Sequence, residues 1–387
     1  MHITSAKPVD FQNAGEWQSA FHRERPGSDR GWPGSHHRGE NTMRAATQTE
    51  YGTPDVLHVR SVERPTPGAR EVLVEVHASA VTQGDRRLRA ADFPGISAVF
   101  GRLLFGLFRP RHPVGGTMFS GRVVATGSEV TRFAVGDEVF GSVDRGAYAE
   151  YVAVAEDGPV ARKPAGIDHA EAAAIPYGAG TALTFLRDLA EVRPGERVLI
   201  VGATGGVGRM AVQVAKHLGA HVTAVGSRDA ELSRALGADE FIDHTAEDFT
   251  ARDARWDVIL DTTEGDHFRA FVGSLTDTGR YLSLYLTPRL LVQMAWSALR
   301  GGPRAMGGVA LGSREGMEDL RALVEAGALR GVVAQRHPLS EVGAAHRALE
   351  RGRLPGAVVV EMTRDRGVPR ARPVPAGNTS FAVAGWF

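Results

Sequence analysis

The sequence predicts an α/β protein in two parts: a compact, irregular barrel or sandwich of short strands, then a doubly wound parallel sheet. Three observations predict it. Strand-like segments set off by Gly and Pro turns fill residues 56–154. Strands and helices alternate from Arg197 to Leu284. A glycine-rich string, residues 201–208, joins the first of those strands to a helix. A chain of 387 residues has room for about two domains.

Residues 1–42 stand apart. They are rich in Gly, Ser, His and Arg and carry acids at Asp10, Glu16, Glu24, Asp29 and Glu40. They lack the apolar run of a secretory signal, and the acids argue against a transit peptide, so they read as a disordered leader. Patterned sequence starts at Met43. Segments 56–62, 72–80, 121–127, 138–143 and 149–154 alternate or run apolar between turns such as Val135-Gly136-Asp137 and read as strands. Segments 169–175 and 181–190 have helical spacing. Strands are then expected at 197–201, 221–225, 240–242, 256–261 and 279–284, with helices at 210–218, 230–236 and 268–275. Helices at 315–326 and 341–351 and a strand at 358–361 close the pattern. The apolar stretches 98–108 and 290–299 read as core segments or pocket-lining loops. Residues 364–387, with Pro369, Pro373 and Pro375, read as a disordered tail.

Composition excludes several functions. Lys+Arg and Asp+Glu both number 45, for a formal charge of zero. That balance argues against a nucleic-acid or membrane-surface binder acting through bulk charge. No apolar run approaches the ~20 residues of a membrane span. There is no cysteine, which removes disulfides, thiolate nucleophiles and any Cys-containing zinc site. The histidines of the patterned region are dispersed, with no H-x-x-x-H on one helix face, so no metal site is expected. No Ser–His–Asp order or nucleophile elbow stands out, which leaves cofactor-borne chemistry.

The string Gly202-Ala203-Thr204-Gly205-Gly206-Val207-Gly208 follows a strand and opens a helix. Glycines there let the backbone approach a pyrophosphate, and the helix N-terminus supplies N–H donors and positive dipole. The alternative is a tight structural turn. The next strand ends in Gly226-Ser227-Arg228, with no acid at 226 or 227 to hold a ribose 2′-hydroxyl. Arg228 suits a 2′-phosphate, so NADPH is expected over NADH; the alternative for Arg228 is a solvated surface side chain.

Five further stretches carry a resemblance: Tyr51-Gly52-Thr53-Pro54-Asp55-Val56-Leu57, Phe133-Ala134-Val135-Gly136-Asp137-Glu138-Val139-Phe140-Gly141, Gly146-Ala147-Tyr148-Ala149-Glu150-Tyr151, Ala172-Ala173-Ala174-Ile175-Pro176 and Leu236-Gly237-Ala238-Asp239. With the glycine string, residues 43–363 resemble a zinc-free medium-chain dehydrogenase/reductase of the quinone oxidoreductase and enoyl-reductase-like branch. The resemblance implies a GroES-like β-barrel catalytic domain at 43–177, a Rossmann NADP-binding domain at 178–313, and a segment at 314–363 that completes the catalytic domain. It implies contacts to the dinucleotide from Thr181, Ser283 and Leu284, and places His244 where relatives often carry a Tyr near the adenosine phosphate. Thr82, Thr117, a residue near Tyr177, and Met118 fall at the zinc-ligand and adjoining positions of zinc-dependent relatives, a set that cannot replace Cys and His ligands.

The expected reaction is NADPH-dependent hydride transfer to a conjugated acceptor, a quinone or the activated C=C of an enone or enal. Such an acceptor delocalises developing charge without a Lewis acid. Thr82, Gln83, Asp85 and Tyr177 are the candidate catalytic residues, with Gln83 as hydrogen-bond donor to the substrate oxygen and Tyr177 as hydrogen-bond or proton donor. Each has a plain alternative: a loop cap for Thr82, a helix cap for Asp85, packing at the domain junction for Tyr177. Residues 98–111 are expected to line or lid an apolar substrate pocket, or else to be core or a dimer contact. Two other readings stand beside the reductase: an NADPH-binding sensor with little turnover, and a trans-acting enoyl-thioester reductase. A cytoplasmic homodimer, paired through 282–286 or 306–311, is the family expectation.

Overall fold

The computed structural model describes residues 41–92, 105–265, 267–352 and 354–362. Strand β1 (Thr42–Thr47) pairs antiparallel with β2 (His58–Glu63). Patterned structure thus begins at Thr42, inside the span expected to be leader; residues 1–40 and the tail from 363 lie outside the described residues. Strand β3 (Glu71–Val81) is the spine of the first half, buried along almost its whole length because sheet neighbours cover both of its edges. Its end turns into helix α1 (Gln83–Ala90), where Thr82 and Asp85 form a reciprocal capping box.

Strands β4 (Met118–Thr126), β5 (Glu138–Ser142), β6 (Tyr151–Ala155) and β7 (Val160–Arg162) continue the sheet, with β4 and β6 both antiparallel to β3. Val72, Val74, Phe119, Val139 and Val160 fill the interior of this barrel. Helices α2 (His169–Ala173) and α3 (Pro176–Leu183) lead out of it. A single helix is expected at 181–190; instead α3 starts five residues earlier, with Pro176 at a helix start, and runs into a π-helical turn over Thr184–Leu189.

The second half alternates as expected: β8 (Arg197–Val201), α4 (Gly206–His217), β9 (His221–Gly226), α5 (Ala230–Ala235), β10 (Glu240–Asp243), β11 (Trp256–Asp261), α6 (Phe268–Phe271), β12 (Leu275–Ser283), α7 (Pro288–Arg300) and β13 (Arg304–Gly307). These strands form one six-stranded parallel sheet in the order β10-β9-β8-β11-β12-β13. One face packs Ile200, Val258 and Leu260 against Ala179, Leu183 and Met210; the other packs Leu199, Ile259 and Tyr281 with Trp256 and Phe271.

Three expectations need correction here. The helix expected at 268–275 is only a four-residue α6 and a 3-10 turn, and Leu275 already opens β12. Residues 290–299 belong to the amphipathic helix α7, neither a loop nor wholly core. Residues 282 and 283 lie in β12, which has β11 and β13 on its two sides; the sheet edge is β13.

Helix α8 (Arg314–Glu325) leads back toward the barrel. There β14 (Val333–Pro338), helix α9 (Val342–Arg351) and β15 (Ala357–Glu361) follow, and β15 pairs antiparallel with β3. The C-terminal strands therefore complete the first sheet. Among the described residues no helix is long and apolar enough to cross a membrane.

Candidate active site

The parallel sheet changes direction of winding between β8 and β11, and ligands of such sheets sit at the carboxyl ends of the strands flanking that point. Gly202 follows β8 with φ 77°, a left-handed backbone; a Cβ there would come within 2.6 Å of Thr262 Oγ1, just past β11. Gly208 packs against the same turn, where a Cβ would lie 2.2 Å from the Gly202 carbonyl. Gly205 is the N-cap of α4, and a Cβ on Gly206 would meet nothing within 4 Å. The first turn of a twelve-residue helix thus faces open space, a cradle suited to a phosphate. Ala203 is fully buried beneath it. The Thr204 carbonyl accepts from Arg209 Nη1 at 2.6 Å, and the same nitrogen donates to the Leu354 carbonyl at 2.9 Å, tying the loop to the barrel's last connection.

A cavity of about 430 Å³ opens at this point between the sheet and the barrel. Thr204, Gly205, Gly206 and Val207 form its floor. Thr82 and Gln83 face it from the barrel, Tyr177 from α3, and Leu284 from the end of β12. Four residues that sequence reasoning missed also line it: Arg86, Arg87, Thr262 and Tyr285. The sole signal in the sequence was the spacing of the arginines one turn after Gln83.

The expected catalytic residues divide. Gln83 is exposed, and its Oε1 accepts from Arg86 Nε at 2.9 Å. Tyr177 is half-buried; burial first, then the nearby Asp85 charge, pushes its hydroxyl up to about 12. It is therefore a proton-bearing donor at neutral pH. Asp85 does not line the cleft cavity. It is 3% exposed, and its carboxylate accepts from Thr82 N at 2.9 Å, Thr82 Oγ1 at 2.7 Å and Thr117 Oγ1 at 2.9 Å. These bonds form the helix cap that is the plain alternative for Asp85. Burial raises its carboxyl above the usual range, against the lowering effect of those bonds.

The expected cofactor residues divide too. Thr181 Oγ1 donates to the Tyr177 carbonyl at 2.7 Å, within its own helix, and Thr181 is not on the cavity wall. Ser283 is buried, its Oγ accepting from the Tyr285 N–H at 3.2 Å, while Leu284 beside it faces the cleft. Ser227, Arg228 and His244 gather at the ends of the paired strands β9 and β10, where the His244 N–H donates to the Gly226 carbonyl at 3.1 Å. Arg228 is exposed and His244 is exposed beside it. Of the segment 98–111, residues 98–104 lie outside the described residues; Phe105 lines a separate cavity inside the barrel, and none of 105–111 lines the cleft.

Comparison with known proteins agrees with this geometry. Residues 68–165 match the alcohol dehydrogenase GroES-like domain, and residues 236–360 match the zinc-binding dehydrogenase domain. The chain is 30% identical over 340 residues to a chloroplastic quinone-oxidoreductase homolog of Spinacia oleracea, covering 82% of this chain and 98% of that one. It is 33% identical over 332 residues to the mitochondrial NAD(P)H oxidoreductase RTN4IP1 of Mus musculus, covering 76% and 82%. The solved quinone oxidoreductase of Coxiella burnetii superposes with a TM-score of 0.73 at 30% identity, covering 83% of this chain and all of that one.

The zinc named by one of these family descriptions does not fit the residues present. Thr82 and Thr117 offer hydroxyls already committed to Asp85, Met118 offers a buried thioether, and the chain has no cysteine; this is not a Zn²⁺ donor set. The sheet order, the glycine loop and these matches agree, and the chain belongs to the medium-chain dehydrogenase/reductase family, as an oxidoreductase of its quinone oxidoreductase-like branch.

Proposed function

We propose that the protein reduces a conjugated small-molecule acceptor, a quinone or the activated C=C of an enone or enal, with NADPH and without zinc. The observation that carries this reading is the meeting, around one 430 Å³ cleft, of a glycine phosphate cradle with the polar groups of Thr82, Gln83 and Tyr177. When bound, the nicotinamide supplies a hydride. Everything else falls to this chain. The N–H groups opening α4 hold the pyrophosphate. Leu284 and Tyr285 cover the ring side of the site and exclude water. Gln83 offers an amide donor to the acceptor's carbonyl oxygen, where negative charge develops. Tyr177, protonated at neutral pH, adds a second donor there.

The preference for NADPH rests on the rim formed by Ser227, Arg228 and His244. Positions 226–228, where β9 ends, carry a guanidinium and no carboxylate. In this reading residues 43–177 and 314–363 serve as the catalytic domain and 178–313 as the cofactor domain. The working form is a homodimer joined along β13, whose outer side has no strand partner among the described residues. Relatives named for a quinone oxidoreductase and an NAD(P)H oxidoreductase support the acceptor and cofactor classes.

Initial-rate kinetics of Tyr177→Phe and Gln83→Ala test the assignment. Both lower kcat with the acceptor while the KM for NADPH holds; wild-type kcat in both would remove these residues from the reaction.

A further inference from the structure

Behind the cleft, inside the barrel, lies a second cavity of about 50 Å³. Its inner wall holds Asp85, Arg89, Tyr148 and His346, all almost completely buried, and its outer wall reaches the exposed His112 and Asp144. Two buried polar atoms on the inner wall, Tyr148 Oη and His346 Nε2, have no hydrogen-bond partner among the described residues.

The state of His346 follows from its other nitrogen. Arg89 Nη1 lies 3.1 Å from His346 Nδ1. A guanidinium only donates, so Nδ1 accepts and the ring proton resides on Nε2. His346 is thus a neutral ring with a buried N–H that finds no acceptor among the described residues. Burial, then the Arg89 charge, lowers this histidine to about 3, in keeping with that assignment. Burial first, then the charge of the neighbouring Asp85, hold the Tyr148 hydroxyl well above its usual range. Buried donors are satisfied in native proteins. The cavity wall is mostly apolar apart from these polar groups, and its volume has room for about three water molecules beside them.

Asp85 separates this cavity from the cleft. Its carboxylate lies on the cavity wall and also accepts from Thr82 Oγ1, which faces the cleft.

We propose that the barrel cavity is an internal water site and that, through Asp85 and Thr82, it carries to the cleft the proton that acceptor reduction consumes. This rests on the reductase reading above. Hydride arriving at a conjugated acceptor brings two electrons and one hydrogen nucleus and leaves an enolate or quinol anion. The Thr82 hydroxyl gives its proton to that anion and takes one from the carboxylic acid form of Asp85. The carboxylate regains a proton from cavity water, which exchanges with solvent past His112. The sum is acceptor plus hydride plus proton, with no other reactant. The raised carboxyl of Asp85 brings its proton-bearing form within reach.

Tyr148→Phe deletes only the unpartnered hydroxyl, and Asp85→Asn keeps an acceptor for the helix cap. Both should bind NADPH as wild type does, while kcat falls about ten-fold or more and the solvent deuterium isotope effect rises. Infrared difference spectra of the wild-type protein should show a carboxylic acid C=O band that moves in D₂O and vanishes in Asp85→Asn. Unchanged kcat and isotope effect in both variants, or no such band, overturns the proposal. If the wild-type protein turns over no acceptor, delivery of a proton is overturned with the reductase reading, and a band present in that protein assigns the failure to the reading and not to the site.

Discussion

The Arg87 guanidinium lies 4.8 Å from the centre of the Tyr285 ring. Arg87 belongs to the barrel's first helix and Tyr285 follows the fifth strand of the parallel sheet, so the pair spans the mouth of the cleft. Arg87 Nη2 also stands 3.9 Å from the exposed Glu264. A cation over an aromatic face contributes about 1 kcal/mol when partly desolvated. Arg87→Ala should therefore lower kcat/KM for the acceptor about five-fold, with little change in thermal stability. Stopped-flow and steady-state kinetics with a simple quinone check this; wild-type kcat/KM would mean that the pair does not hold the cleft.

The glycine loop offers a contrast between two positions. A Cβ at Gly206 meets nothing, whereas one at Gly208 collides with the Gly202 carbonyl. Gly206→Ala should leave the melting temperature in place, since alanine suits a helix start at least as well as glycine, yet weaken NADPH binding by filling the phosphate space. Gly208→Ala should lower stability by about 2 kcal/mol, the scale of a backbone clash in a packed turn. Calorimetric titration and thermal melts of the two variants separate the effects; equal NADPH affinity in Gly206→Ala and wild type would remove the phosphate from that turn.

Much of this was legible in the sequence because each signal had one physical cause. The loop at 202–208 could be placed because strand, glycines and helix follow one another locally. For Asp85 the sequence leaves catalysis and capping side by side, and the bonds to Thr82 and Thr117 that form the cap are invisible in it. Thr181 and Ser283 show the limit: periodicity fixes the element, but which way a short hydroxyl turns depends on the neighbouring turn's carbonyls and amides. Helix α7 escaped because its outward face carries Val292, Trp296 and Leu299, so apolar residues lie on both sides and blur the 3.6-residue pattern. Arg87 and Tyr285 are 198 positions apart in sequence, and nothing local announces their meeting.

That outward face of α7 predicts association. Trp296 is 56% exposed and Leu299 84% exposed, beside the edge strand β13. If two copies join along β13, this face is where a second copy adds apolar contact. Trp296→Glu should shift the protein toward monomer in sedimentation velocity at micromolar concentration. A wild-type protein that sediments as a monomer throughout would refute the pairing.

Acid should destabilise the fold through the buried His346 and the half-buried His169. Burial lowers His346 to about 3 and His169 to about 4, from an ordinary value of 6.5. Between those values and 6.5 the unfolded chain binds more protons than the folded one, so stability rises with pH across that window and is lost as pH falls below 6.5. Each histidine contributes a slope of about 1.4 kcal/mol per pH unit at most. Urea melts at a series of pH values should show the slope, and His346→Gln should reduce it. An identical slope in that variant would contradict the buried neutral ring.

The central claim is that the cleft binds NADPH and passes its hydride to a conjugated acceptor. The most direct measurement is titration of the purified protein with NADPH and NADH, followed by the loss of NADPH absorbance on adding a quinone or an enone. The account predicts tighter binding of NADPH, a preference reduced in Arg228→Ala, and oxidation with at least one acceptor. No binding of either nucleotide would contradict it at the glycine loop, and saturable binding with no oxidation by either acceptor would contradict the reductase reading.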